Sequence, residues 1–133
     1  MNKKSIDPSG HITIAVKNIK ESKDFYEKIF IKLNLRKLAE KEKGAAWEII
    51  PGFCLWIKQA QYPNYNYKFH APGLHHVCLK ARSKKEVDNF YAFLLQQKVL
   101  IYDSPKLYPK YTPNYYAIFF ADPDGIKLEL AYY

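Results

Sequence analysis

Three side chains of this 133-residue sequence have the types and settings to hold a metal ion. His11 opens the segment His11-Ile12-Thr13-Ile14-Ala15-Val16, His76 opens His76-Val77-Cys78-Leu79-Lys80-Ala81, and Glu129 stands between Leu128 and Leu130. Two imidazoles with one carboxylate hold one side of a divalent ion such as Fe, Mn, Ni, Zn or Co, and leave the other positions open to water or substrate. Residues two apart on a strand share a face. If Ile12, Ile14 and Val16 pack beneath a helix, then His11, Thr13 and Ala15 face the other way; the same parity turns His76, Cys78 and Lys80 inward, and likewise Lys127, Glu129 and Ala131. Each candidate ligand thus sits on a rigid strand. His75 has the opposite parity to His76 and reads as a strand-edge residue, and His70 reads as a loop residue, so neither is favoured as a ligand.

The remaining inward positions describe a pocket with aromatic walls and a cationic rim: Thr13, Trp56, Lys58, Lys80, Tyr115, Phe119 and Lys127. Tyr115, inward by parity with Ala117 and Phe119, is the candidate for an acid-base tyrosine. Cys54 and Cys78 share the inward parity, but no base accompanies them, and they read as reduced, small apolar fillers. With no signal peptide or membrane span evident at the amino terminus, the cytoplasm is the expected compartment.

The elements that position these residues are written twice. The two histidine-headed strands each enter a helix, and Asn18 with Glu21 and Ser83 with Glu86 have the spacing of a capping box or a close variant. Phe25-Tyr26 and Ile29-Phe30 fall opposite Phe90-Tyr91 and Leu94-Leu95, which gives each helix an apolar stripe to lay on a sheet. Three strands are expected after each helix: Arg36 to Glu42, Ala45 to Ile50 and Phe53 to Gln59, then Leu100 to Asp103, Tyr115 to Ala121 and Ile126 to Tyr132. Tight turns at Pro51-Gly52 and at Asp122-Pro123-Asp124-Gly125 join the last two strands of each copy. The Tyr- and Pro-rich stretches Tyr62 to Gly73 and Ser104 to Asn114 read as surface loops. The expectation is one α+β domain over residues 1–133, with a βαβββ module at about 10–61, a linker at 62–73 and a second βαβββ module at about 74–133.

A formal charge of +8 raises the question of a polyanionic partner. The lysines are scattered over both helices and most loops, without a basic block, zinc-finger spacing or RNP-type motif, so a nucleic-acid role is not expected and an anionic small molecule stays compatible.

A strand opening with histidine, a helix carrying Phe-Tyr and a closing Asp-Pro-Asp-Gly-x-x-x-Glu-Leu together resemble the glyoxalase/bleomycin-resistance/dioxygenase (vicinal oxygen chelate) family, from Gly10 to Ala131. The resemblance implies paired modules curling eight strands of a mixed sheet into a cup with helices outside, a divalent metal held by His11, His76 and Glu129, a small substrate and a homodimer. It also implies what this chain is not. Trp56 stands where the glyoxalase I branch usually has a second glutamate, and an indole neither ligates nor takes a proton. Glu48 on the preceding strand is a candidate for a displaced carboxylate. The implied activity is Lewis-acid chelation of an oxygen-bearing substrate, anionic ones included, by a lyase, transferase or dioxygenase. The alternatives are a metal-free binder of the bleomycin-resistance type and a fosfomycin-type thiol transferase or extradiol-type dioxygenase.

Overall fold

The computed structural model describes residues 7 and 9–133. Its elements run β1 (His11–Val16), α1 (Ile19–Lys32), β2 (Lys37–Lys41), β3 (Gly44–Ile50), β4 (Phe53–Gln59), β5 (Val77–Lys80), α2 (Lys84–Gln96), β6 (Ile101–Leu107), β7 (Tyr116–Ala121) and β8 (Lys127–Tyr132). This is βαβββ written twice, as the repeat requires. The strands pair as two four-stranded mixed sheets, β1-β4-β3-β2 and β5-β8-β7-β6. The reason lies in the module: its first strand pairs in parallel with its last, so every strand finds its partners within its own copy. The chain accordingly divides into two compact units, Met1–Tyr65 and Asn66–Tyr133.

In the first unit, Asn18 caps α1 by accepting the Glu21 amide at 3.2 Å, and the helix lays Tyr26, Ile29 and Phe30 on the sheet. Tyr26 and Phe30 pack on Trp47 with ring centroids 6.4 and 5.1 Å away, and Ile14, Val16, Leu55 and Ile57 complete this core. Burying each such side chain contributes roughly 1.5–3 kcal/mol. Ile12 departs from the expectation: it is 44% exposed at the strand's open end, although its parity is right.

The second unit repeats the plan with a changed helix rotation. Ser83 caps α2 by accepting the Glu86 amide at 3.1 Å, while the Glu86 carboxylate accepts from the Arg82 amide at 2.6 Å. Here Phe90 is buried where the first unit buries Tyr26, and Leu95 is 52% exposed where Phe30 is buried. Val87, Phe90 and Leu94 pack with Ile118, Phe120, Leu128 and Leu130.

Both hairpin glycines hold the backbone that only glycine adopts freely, Gly52 at φ 85° and Gly125 at φ 80°. Around Gly125 the Asp122 carboxylate accepts the amides of Asp124 and Ile126, each at 2.8 Å, which fixes the approach to β8. The stretch Ser104 to Asn114 is not wholly a loop, since β6 continues to Leu107 through Pro105. Pro105 is tolerated because β6 is an edge strand with register shifts on either side of Asp103, where a missing amide costs no ladder bond.

Candidate functional site

β5 and β8 lie side by side in parallel, with Cys78 beside Glu129 and Lys80 beside Ala131; on the other side of β8, Phe119 of β7 stands beside Glu129. The strand face away from α2 therefore carries Cys78, Lys80, Ala117, Phe119, Lys127, Glu129 and Ala131, the parity read from the sequence. Ala117, Phe119 and Ala131 form a small buried cluster against which Tyr108 and Tyr115 pack.

Glu129 is the centre of this face. Its side chain is only 2% exposed, and both carboxylate oxygens are engaged: His76 Nε2 lies 2.9 Å from Oε2, and the Tyr115 hydroxyl donates to Oε1 at 2.5 Å. A buried carboxylate is tolerable only when so satisfied. Desolvation and the bond to Glu129 push the Tyr115 phenol well above the usual tyrosine range, so it remains a donor at neutral pH. Cys78 as a residue reaches solvent, but its Sγ lies 4.0 Å from the Tyr115 hydroxyl, and desolvation there with the Glu129 charge pushes the thiol up to about 12. A thiol so held is not a nucleophile at neutral pH.

His76 precedes β5 by one residue, and its ring meets a partner that strand parity did not foresee. Nδ1 of His75 lies 2.7 Å from Nδ1 of His76. His75 is itself held by the Tyr67 hydroxyl, which donates to its carbonyl at 2.5 Å, and by Phe69, whose ring lies edge-on at 5.5 Å. The signal available in the sequence was the His-His pair ahead of the strand rather than within it.

Aromatic rings cluster on this face. Tyr115 stacks on Tyr133 with centroids 4.8 Å apart, Tyr111 lies 5.1 Å from Tyr115, and Tyr108 lies edge-on to Phe119 at 5.5 Å. Lys80 stands 4.2 Å over the Tyr133 ring, and Lys127 stands over both Phe119 and Phe69, at 4.4 and 4.8 Å. Tyr108, Tyr111 and Tyr133 were not among the predicted pocket residues; Tyr108 and Tyr111 belong to the exposed loop that follows β6, from which Tyr108 packs against this face. A separate cavity of about 440 Å³ in the same unit is lined by Tyr67, Lys68, Phe69, His70, Ala71, Tyr102 and Gly125, none of them predicted.

In the first unit, His11, Thr13 and Ala15 are exposed on the face away from α1 and stand beside Cys54, Trp56 and Lys58 of β4. Trp56 has Lys41 and Lys58 over its ring at 5.5 and 5.9 Å. Glu48 pairs with Arg36 at 3.2 Å, so that carboxylate is already matched by a cation. His11 belongs to the first unit, His76 and Glu129 to the second. Among the described residues no group of three or more His, Cys, Asp or Glu side chains is arranged to hold a metal ion. The pair His76–Glu129 does fit two ligands of one: ligand atoms about 2.1 Å from an ion and at right angles stand about 3.0 Å apart, and Nε2 and Oε2 are 2.9 Å apart.

The family model for the Glyoxalase/Bleomycin resistance protein/Dioxygenase superfamily matches residues 9–130, nearly the whole chain and both modules. The chain belongs to this superfamily. Among curated proteins, the uncharacterized protein YqjT of Bacillus subtilis strain 168 is 29% identical over 127 residues, covering 90% of this chain and 94% of YqjT. A glyoxalase-type structure from Bacillus halodurans superposes with a TM-score of 0.79 at 24% identity, over 92% of this chain and 93% of that one. The fosfomycin resistance protein FosX of Listeria monocytogenes gives 0.71 at 20% identity, over 96% and 94%. Lactoylglutathione lyase of Agrobacterium tumefaciens gives 0.69 at 17%, over 97% and 96%. At these identities the likeness is one of fold. Superfamily membership accounts for the doubled module.

Proposed function

We propose that this superfamily member is a metal-dependent enzyme acting on a small oxygen-bearing substrate, with His76 and Glu129 as ligands of a divalent ion. The observation that carries the reading is the His76–Glu129 pair, a carboxylate sunk in a sheet face with an imidazole nitrogen 2.9 Å away. Such an ion, when bound, supplies Lewis-acid polarisation of substrate oxygens. The chain's own residues do the rest. Tyr115 holds Oε1 of Glu129 and leaves Oε2 directed at His76. Tyr108, Tyr111, Tyr115 and Tyr133 form a wall against which a planar substrate can lie, and the ammonium groups of Lys80 and Lys127 at its edge favour an anionic one. The proposal extends to a homodimer in the cytoplasm; among the described residues no helix is long and apolar enough to cross a membrane.

Elemental analysis of protein purified without chelator tests this directly. One Fe, Mn, Ni, Zn or Co per chain is expected, with loss in His76→Ala and Glu129→Gln. Retention of metal in Glu129→Gln sinks the proposed ligand set.

The tyrosine wall also supports a second reading, a metal-free binder in which ring stacking takes the place of chelation. An aromatic ligand bound equally well with and without EDTA, and released by Tyr115→Ala, would establish it in place of the first.

A further inference from the structure

The metal-centre reading gives His75 no task, although it makes the shortest polar contact of the His76 ring. Two Nδ1 atoms 2.7 Å apart cannot both carry protons or both present lone pairs, so exactly one proton lies between them. His76 Nε2 faces the Glu129 carboxylate, which can only accept, and so Nε2 bears a proton. In the neutral ring Nδ1 of His76 then accepts, and His75 must donate from its own Nδ1. That is the rarer tautomer of a free imidazole in water. It is selected here by the neighbour, while the Tyr67 hydroxyl on the His75 carbonyl and the edge of Phe69 hold the backbone and ring in place.

We infer that His75 is a positioning residue that fixes the rotation and tautomer of His76 through the Nδ1–Nδ1 hydrogen bond, so that Nε2 is presented toward Glu129. The inference rests on the metal-centre reading for its purpose, but not for its geometry. If Nε2 of His76 is given over to a metal, its proton leaves to solvent. The proton between the rings then belongs to His76 Nδ1, and His75 accepts with Nδ1 and takes a proton from solvent on Nε2. The count balances, one proton released and one taken up. An imidazole can change sides in this way, as can an asparagine amide; an alanine cannot.

The test uses nitrogen-15 NMR of the histidine rings at about pH 8.5, where ordinary imidazoles are neutral, with Zn²⁺ as the diamagnetic probe. In metal-free protein His75 is expected with its proton on Nδ1, and Zn²⁺ is expected to move that proton to Nε2, a change that a merely structural histidine would not show. Zn²⁺ affinity by calorimetry is expected to fall about tenfold or more in His75→Ala and to return to within about threefold in His75→Asn, matching the usual cost of losing the group that orients a ligating histidine. The inference is overturned if His75 carries its proton on Nε2 in both states, if His75→Ala binds Zn²⁺ as the unaltered chain does, or if alanine and asparagine variants lose it equally. Should the unaltered chain take up no Zn²⁺, the metal-centre reading fails. The metal-free tautomer still decides the role of His75: a proton on Nδ1 keeps it as the residue that turns His76 toward Glu129.

Discussion

At the scale of single residues, the site is a carboxylate satisfied on both sides and surrounded by groups that stay protonated. Cys78 gives this a measurable consequence. With its thiol held at about 12 instead of 9.0, the thiolate fraction at pH 8 is lowered about a thousandfold. Alkylation of Cys78 by iodoacetamide at pH 8 should be correspondingly slower than that of a free thiol, and modification at the free-thiol rate would remove the electrostatic picture. The stability dependence has a definite sign. A group whose pKa is raised on folding binds its proton more tightly in the native state, so its contribution is fully present below pH 9 and is lost as pH rises from 9 to about 12. Tyr116 acts in the same direction, since its bond to Asp88 pushes the phenol up from 10.0 to about 12. Alkaline unfolding followed by circular dichroism should therefore set in above pH 9 and not near neutrality.

At the scale of elements, the doubled module was legible because each signal is local. Asn18 and Ser83 were recognisable as caps from the acidic residue three places on, and both do accept that residue's amide. Replacing Ser83 with Ala should cost about 1 kcal/mol in a urea titration. Phe90→Ala should cost about 3–5 kcal/mol, because it empties the space between α2 and the second sheet. An exposed counterpart such as Leu95→Ala should cost far less, and equal losses at the two positions would contradict the helix rotation described. The less legible elements were those where local signals mislead. Ser104-Pro105 is a turn signal by composition, yet it lies within β6, because an edge strand has a side on which no partner needs the proline's missing amide. Likewise the Phe-Tyr pairs match in sequence but bury different members, since each helix rotates to suit the sheet beneath it.

At the scale of the whole molecule, the scattered lysines predict no appreciable binding of duplex DNA or RNA in about 50 mM salt, where nonspecific electrostatic binding is strong; fluorescence anisotropy checks this, and a steep salt-dependent affinity would contradict the solvated-face account of the charge. Light scattering is expected to give twice the 15.7 kDa chain mass, as the proposed homodimer requires, and a value of one chain mass would remove it.

The sequence by itself determined the two modules, the superfamily resemblance and the common face of Cys78, Lys80, Phe119, Lys127 and Glu129. Strand alternation and helical periodicity are short-range consequences of backbone geometry, so a linear reading suffices for them. Only the tertiary structure decided that Tyr115 and His76 take the two oxygens of Glu129, that Tyr108 packs on that face, and that His75 turns to His76. Parity assigned His75 to the opposite side, but alternation governs only residues inside a pleated strand, and β5 begins at Val77. Ahead of that point the backbone is free to bring neighbouring side chains together, and Tyr67 and Phe69 settle which way it goes.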